Sequence, residues 1–480
     1  MIALLIAIPV AAALIVPFLR KQAHIVFFAM TLLLAAVAAY VALHGFAVLN
    51  AMPPWPMFFT LTADKFSILM IVLIAIVALV TAFASLSFTN DYTYYALASL
   101  AIAGMNGIML VNDIFTLYVF IEVASLATFA LIAFNRNVEG FEAAFKYIIL
   151  STVATTFILL GIFILYGITG GVSFAEISVG VKRPESVKPG LFCLMLLAAG
   201  FLVKSGFVPF HTWVPDAYGA SPNPISITLA GIITKAVGLY ALIRIAVTVI
   251  GVTPAISMIM LVIGIITAVT GAVLAINQPD GKRMLAYSSI SQMGYIVLGI
   301  FSGNPIGVVG GVFHLFNHAI LKSLLFINMA SLESSTKSRE LEKYSGIGEK
   351  MPVTSGTFAV GSLSIAGIPP LNGFFSKLFI LIGLFAAKQT AIGVLATLAS
   401  VLTLWYFLVF QRKVIFGKAS EAVASVREAP LTYIIPAVLL AAISIVTGIG
   451  FSPTISAFIA PAADVLMNAA SDATSAGVLP

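Results

Sequence analysis

Seven ionisable side chains sit in stretches that otherwise read as lipid-soluble helix: Glu122, Lys204, Lys235, His314, His318, Lys322 and Lys377. A charged residue at mid-bilayer costs about 2.5–3.5 kcal/mol on insertion scales, so a series of them in one chain requires a reason. Snorkelling near helix ends accounts for single lysines and not for several at mid-span. A lysine held away from water gives up its proton more readily, and a nearby carboxylate opposes that loss. A Glu–Lys pair whose separation changes can therefore load and unload a proton. Glu122 and Lys204 are the candidate pair; a static buried ion pair is the rival reading.

His314, His318 and Lys322 recur at i, i+4 and i+8 in FHLFNHAILKSLLF and so share one helix face. Histidine's titration range suits a relay between lysines, and hydrogen-bonded packing histidines are the competing reading. A zinc pair finds no support, since there is no HExxH motif and no evident third ligand. Lys235 is central in GIITKAVGLYALIR, and Lys377 follows a proline pair in GIPPLNGFFSKLFI, with snorkelling as its alternative. Snorkelling is the favoured reading for Lys146 and Arg244, which fall nearer the ends of apolar runs. Tyr287, Ser288, Ser289, Ser291, Gln292 and Tyr295 form a polar stripe that either holds water or joins helices. The chemistry on offer is movement of protons or small cations through a membrane.

The elements that must position these residues follow from composition. Of 480 residues 61% are hydrophobic and 9% are Asp, Glu, Lys or Arg, against about 25% charged in soluble domains. This is an all-α polytopic membrane protein, a single unit over 1–480, with no stretch long enough for a soluble domain. Apolar runs predict fourteen spans: 2–19, 24–46, 66–88, 94–112, 114–134, 143–168, 189–214, 222–247, 254–277, 284–302, 305–331, 352–387, 389–412 and 430–450. Arg20 and Lys21 follow the first run, which lacks a basic leader, so it reads as an uncleaved span. Prolines interrupt the seventh span at Pro209 and Pro215 and the twelfth at Pro369-Pro370. Broken helices at membrane depth are tolerated where the freed backbone lines a cavity or is buried in protein.

Spans four to eight (94–247) and nine to thirteen (254–412) form two sets of five. An offset of five reverses direction, so the two broken spans run antiparallel, as in inverted-repeat transporters. Each contains one lysine, Lys204 before its prolines and Lys377 after them. Thirteen basic residues fall in loops on one side, from Arg20 and Lys21 through Lys282, Arg283 and Lys337 to Arg427, and five on the other. The positive-inside rule puts the thirteen in the cytoplasm and both termini outside. The stretch 332–351 reads as a cytoplasmic loop with room for a short amphipathic helix. The Ala/Ser-rich tail after 451 reads as an external, weakly ordered end.

No G-x-x-x-x-G-K-[ST] loop, CxxC pair, haem signature or dinucleotide fingerprint is present, and the single cysteine, Cys193, excludes disulfides and Cys-rich clusters. No cofactor or metal is therefore expected in this chain. One elementary charge crossing 100 mV is worth about 2.3 kcal/mol, so uphill pumping needs energy from a partner.

With these residues in view, the chain resembles the antiporter-like membrane subunits shared by respiratory complex I, membrane-bound hydrogenases and formate hydrogenlyases, and Mrp-type Na+/H+ antiporters. The matching stretches are LYVFIEVASLATFALIAF around Glu122, LVKSGFVPFHTWVPDAYGASPNP around Lys204, AGIITKAVGLYALIR, KRMLAYSSISQMGYIVLGI, FHLFNHAILKSLLF and GIPPLNGFFSKLFI. They extend over roughly residues 60–415. The resemblance implies a proton path at mid-membrane: Glu122 and Lys204 as input pair, Lys235 with the His314/His318/Lys322 helix as central relay, and Lys377 as terminal site. It implies a non-catalytic, proton-translocating subunit of a multisubunit redox-driven pump, beside other membrane subunits and a peripheral iron–sulfur arm, in a prokaryotic cell (inner) membrane. The alternative is a subunit of an Mrp-type antiporter exchanging Na+ for H+ without redox chemistry.

Overall fold

Helix boundaries in this chain are set by short polar residues placed just before apolar runs. The computed structural model describes residues 2–44, 60–418, 423 and 425–475; the end of the expected second span and the last five residues of the tail lie outside them. Asp64 accepts from the Ser67 amide at 2.8 Å and starts α3 (Lys65–Ser85). Asp91 does the same for α4 (Tyr92–Leu110) and Asp113 for α5 (Ile114–Ile132). Each carboxylate satisfies an amide that the first turn leaves without a partner. Before them come α1 (Leu4–Ile15) and α2 (Ala23–Leu43). After them follow α6 (Val138–Thr169), the short α7 (Phe174–Gly180) and α8 (Val187–Ser205).

The helix of α8 stops at Gly206, whose φ of 73° is left-handed, and resumes as α9 (Trp213–Ala220). The break thus lies at 206–212, around Pro209, while Pro215 falls inside the first turn of α9, where its missing N–H costs no helix bond. Next come α10 (Asn223–Ile250), α11 (Pro254–Ala275), α12 (Gly281–Ile300) and α13 (Pro305–Thr336). The second broken helix is α14 (Pro352–Ala366) and α15 (Asn372–Ala386), split at Gly367 with φ of 93°. The two stops share one hydrogen-bond pattern. The residue after each glycine donates to a carbonyl five back, Phe207 to Leu202 and Ile368 to Leu363, both at 3.0 Å. Glycine is needed at both because other residues are strained there.

The chain continues through α16 (Thr390–Ile415) and α17 (Leu431–Ile449). Residues 451–475 then form a further helical segment, α18, in three consecutive pieces. This corrects the expectation of a weakly ordered tail. Ile459, Ala462, Ala463 and Leu466 are buried against α3 and α13, and small alanines permit the close approach that an Ala/Ser-rich composition disguises. Residues 332–351 also differ from expectation. Helix α13 runs on to Thr336, and the rest holds two short 3₁₀ turns, Leu341–Tyr344 and Ile347–Glu349, rather than an amphipathic helix.

Among the described residues, eleven helices are long and apolar enough to cross a membrane, and β pairing is limited to three isolated bridges. The core is centred on α10 and α13, which are buried along nearly their whole length, with α3 and α12 around them. Peripheral helices α2, α6 and α16 turn stripes such as Leu32/Leu33, Phe145/Phe163 and Val401/Trp405 outward. Apolar side chains facing out and polar ones facing in is the pattern a lipid solvent selects.

Candidate ion-translocation site

Lys204 occupies the last turn of α8, immediately before the break, and is buried. Its Nζ donates to Ser151 Oγ of α6 at 2.6 Å and to Ser125 Oγ of α5 at 2.9 Å, and lies 3.6 Å from Glu122 Oε1. Glu122 and Ser125 are one turn apart on α5, which is why both reach the same ammonium. The separation of 3.6 Å is an ion pair and not a hydrogen bond; Glu122 Oε1 has no hydrogen-bond partner among the described residues. Glu122 is less deep than its place in an apolar run suggests. Its side chain is 29% exposed, on the outward face of α5 that also carries Phe115, Val119 and Leu126.

The central helix α10 is wound largely as π-helix, at Leu229–Ile233, Lys235–Tyr240 and Arg244–Ile250. Such wider turns recur at functional sites. Within them the buried Lys235 Nζ donates to Ala230 O five residues back. Two glycines let α10 approach its neighbours. A Cβ on Gly238 would lie 2.9 Å from the Lys204 carbonyl carbon, and one on Gly231 would strike the hydroxyl of Ser323, next to Lys322. Lys235 lies on α10 between these two contacts, one against the backbone at Lys204 and the other against the Ser323 side chain beside Lys322.

On α13, His314, His318 and Lys322 do share a face, and all three are fully buried. The two imidazoles lie 6.4 Å apart with near-parallel rings. His314 Nδ1 contacts Ser376 Oγ at 2.9 Å and its Nε2 contacts Gln292 Oε1 at 3.2 Å. His318 has no hydrogen-bond partner on either nitrogen among the described residues. Lys322 Nζ donates to Ser288 Oγ at 2.8 Å and to Leu285 O at 3.1 Å. Lys377, buried in the second turn of α15, donates to Ser400 Oγ at 3.2 Å and stands 4.8 Å from the centre of the Tyr295 ring. That ring lies 5.9 Å from His314. The polar stripe of α12 therefore divides. Ser288, Gln292 and Tyr295 meet Lys322, His314 and Lys377, while Ser291 joins helices through the Ala268 carbonyl.

Two lysine or arginine readings change. Arg244 does not snorkel: it is buried and pairs with the carboxylate of Asp64, beside Tyr240, whose hydroxyl contacts Ser67 Oγ at 2.8 Å. Burial opposes the Asp64 charge, yet the guanidinium and the Ser67 amide and hydroxyl together hold its carboxyl below the usual range. Lys146 is half-exposed but not free, bridging Glu142 at 2.7 Å and Asp216 at 2.9 Å. Asp216 of α9 also takes Arg283 at 2.7 Å. Neither Asp64 nor Asp216 is evident from sequence, since their partners lie about 180 and 70 residues away. Ser125 and Ser376 carry a weak signal, being one turn from Glu122 and adjacent to Lys377. No group of three or more His, Cys, Asp or Glu stands together as a metal site among the described residues.

A bundle of long apolar helices, two of them interrupted, enclosing buried lysines and histidines, defines an antiporter-like polytopic membrane protein. Residues 111–403 match the family described as NADH:quinone oxidoreductase/Mrp antiporter, TM, and the chain belongs to that family. It is 36% identical over 368 residues to the N subunit of the NADH-quinone oxidoreductase of Desulforudis audaxviator, covering 74% of this chain and 72% of that one. It is 29% identical over 405 residues to a Na+/H+ antiporter subunit of Alkalihalophilus pseudofirmus, covering 83% and 82%. Among solved structures, a chain of the membrane-bound sulfane sulfur reductase, an archaeal respiratory membrane complex, superposes with a TM-score of 0.88 at 29% identity. That match covers 98% of this chain and 99% of the other.

Proposed function

We propose that this chain conducts protons as an antiporter-like subunit of a redox-driven membrane complex, along Glu122, Lys204, Lys235, the Lys322/His318/His314 face and Lys377. The observation that supports this is the set of buried titratable groups in the middle of the bundle. Glu122 lies 3.6 Å from Lys204, α10 abuts the backbone at Lys204 and the side chain of Ser323 beside Lys322, and Tyr295 stands between His314 and Lys377. Buried polar atoms without a protein partner among the described residues include both nitrogens of His318, the Gln292 amide nitrogen beside His314, and Asn317 Oδ1 next to His318 in sequence. Water molecules would satisfy them and serve as proton carriers.

The finer architecture belongs to the same reading: fourteen spans, two inverted repeats over 94–247 and 254–412, both termini outside, in a prokaryotic cell membrane. The matching glycine stops at Gly206 and Gly367 support the repeat, and the one-sided distribution of basic loops supports the orientation. The chain brings no cofactor of its own; it takes energy from partners, including further membrane subunits and an iron–sulfur arm. Relatives named as parts of a quinone-linked oxidoreductase and of the sulfane sulfur reductase support a redox partner. A second reading, as part of an Mrp-type cation/proton antiporter, is favoured by the longer match to the Alkalihalophilus antiporter.

Reconstitution tests the path. In proteoliposomes holding the intact complex, Lys204→Ala and Lys377→Ala abolish ion movement while assembly survives; wild-type coupling in both would sink the relay. Purification in mild detergent separates the two settings. Iron–sulfur companions mark the redox complex, whereas only small hydrophobic companions mark the antiporter.

A further inference from the structure

On the face bearing most of the basic loops, a cavity of about 560 Å³ opens between α11, α12, α16 and the 341–345 turn. Exposed Glu342 and Lys413 stand with Gln278 and Ser345 in its wall, and buried Met284 and Tyr406 belong to the same lining. On α16 the lining residues recur at Tyr406, Val409, Phe410 and Lys413, one face of a helix, so the cavity follows α16 inward for about two turns. Tyr406 is 2% exposed, and its hydroxyl donates to Ser288 Oγ at 2.8 Å. That same oxygen accepts from Lys322 Nζ at 2.8 Å. Three groups in hydrogen-bond contact thus connect a surface-open cavity to a lysine of the central relay.

We propose that this cavity is a proton inlet to the relay, separate from the Glu122–Lys204 pair, with Tyr406 and Ser288 as its inner hops. The proposal rests on the reading that the α13 face carries protons. A hydrated proton in the cavity binds Tyr406 Oη as the tyrosine's own proton passes to Ser288 Oγ. The serine proton in turn passes to a neutral Lys322 Nζ. At each hydroxyl one O–H bond forms and one breaks, and the net change is one proton moved from cavity water to the amine. Directly after the hop Ser288 donates back to Tyr406; the arrangement seen, with Tyr406 Oη and Lys322 Nζ both donating to Ser288 Oγ, is the loaded state after the two hydroxyls have turned, and Ser288 turns its proton to the amine once Lys322 has passed its own on. An inlet here would let the second half of the molecule load independently of the first.

The rival is a helix cross-link, in which the Tyr406–Ser288 bond ties α16 to α12 and carries nothing. The test uses the intact complex in proteoliposomes. Tyr406→Phe keeps the ring and removes the hop, and proton uptake is expected to fall at least fivefold. Gln278→Cys, labelled with a bulky membrane-impermeant thiol reagent, closes the cavity mouth without touching the bond. Uptake is expected to fall comparably on labelling from the basic-loop face and not from the opposite face; the native Cys193 is buried. Labelled Gln278→Cys conducting as wild type overturns the inlet, even where Tyr406→Phe is impaired, because the hydroxyl is then a cross-link. Lys377→Ala run in parallel keeps the two ideas apart: normal conduction in that variant defeats the relay itself.

Discussion

The two broken helices stop in the same way and then diverge in what they hold. Both first halves end on a left-handed glycine followed by proline, yet Lys204 precedes its break and Lys377 follows the other. Lys204 has a countercharge 3.6 Å away. Lys377 has a serine hydroxyl and the face of Tyr295. The second halves differ as well. Helix α9 is tied at Asp216 by Lys146 and Arg283, both partly exposed. The start of α15 is tied by neutral groups at depth: Asn372 Oδ1 accepts from Ser364 at 2.6 Å and Ser444 at 2.9 Å, and its Nδ2 donates to Thr447 at 3.0 Å. The same backbone break thus serves a charge-compensated lysine under an ionic clasp and an uncompensated lysine beside a hydroxyl–amide clasp. On the proposed path, the lysine with a countercharge would serve uptake and the one without would serve release.

Glu122→Gln attacks this contrast most strongly. Two unit charges at 3.6 Å interact by about 4–5 kcal/mol at an effective dielectric of roughly 20. Partial exposure of Glu122 reduces the share retained, but about 1.4 kcal/mol already changes proton occupancy tenfold. Ion movement is expected to fall tenfold or more, measured as proton flux in proteoliposomes at fixed driving force. Flux within twofold of wild type would remove the distinction between the two lysines.

Asn372→Ala probes the neutral clasp. The substitution strips partners from Ser364, Ser444 and Thr447 in a site where Ser364, Ser444 and Asn372 are fully buried. Unsatisfied buried groups cost about 1–3 kcal/mol each, and relaxation recovers part of the sum, so a loss of about 2–3 kcal/mol is expected. The measurement is the unfolding midpoint in detergent, at low and high salt. A neutral network predicts the same loss in both; a loss that salt abolishes would mean the clasp is ionic after all.

Much of this is legible in the sequence because a bilayer imposes simple rules. Apolar runs mark the helices, and Gly-x-x-Pro and Gly-x-Pro-Pro mark the breaks. The i, i+4, i+8 spacing by itself places His314, His318 and Lys322 on one face. What stays hidden is long-range or geometric. Arg244 reads as a snorkelling side chain because its partner Asp64 is 180 residues earlier and looks like an ordinary helix start. The π-turns around Lys235, and its bond to Ala230 O, leave no compositional trace. Residues 451–475 read as a weak tail because alanine is equally at home in a loose end and in a close helix contact. Glu122 reads as deep because hydropathy reports depth along a span and says nothing of which way a side chain faces.

The smallest effect is expected at the ionic clasp, and its size is the point. Asp216 is 20% exposed on its side chain, and its partners Lys146 and Arg283 are 46% and 38% exposed. Pairs this open contribute about 0.2–1 kcal/mol each, because water already solvates the charges and long side chains lose entropy when held. Asp216→Asn keeps the shape and one hydrogen-bonding oxygen, so a destabilisation of about 1 kcal/mol or less is expected at low salt. At 1 M salt, where the screening length is about 3 Å, the difference from wild type should nearly vanish. That salt response is what separates α9 from α15. If Asp216→Asn were as costly as Asn372→Ala, and equally indifferent to salt, the clasp on α9 would be behaving as a desolvated core pair, and the two breaks would be built alike.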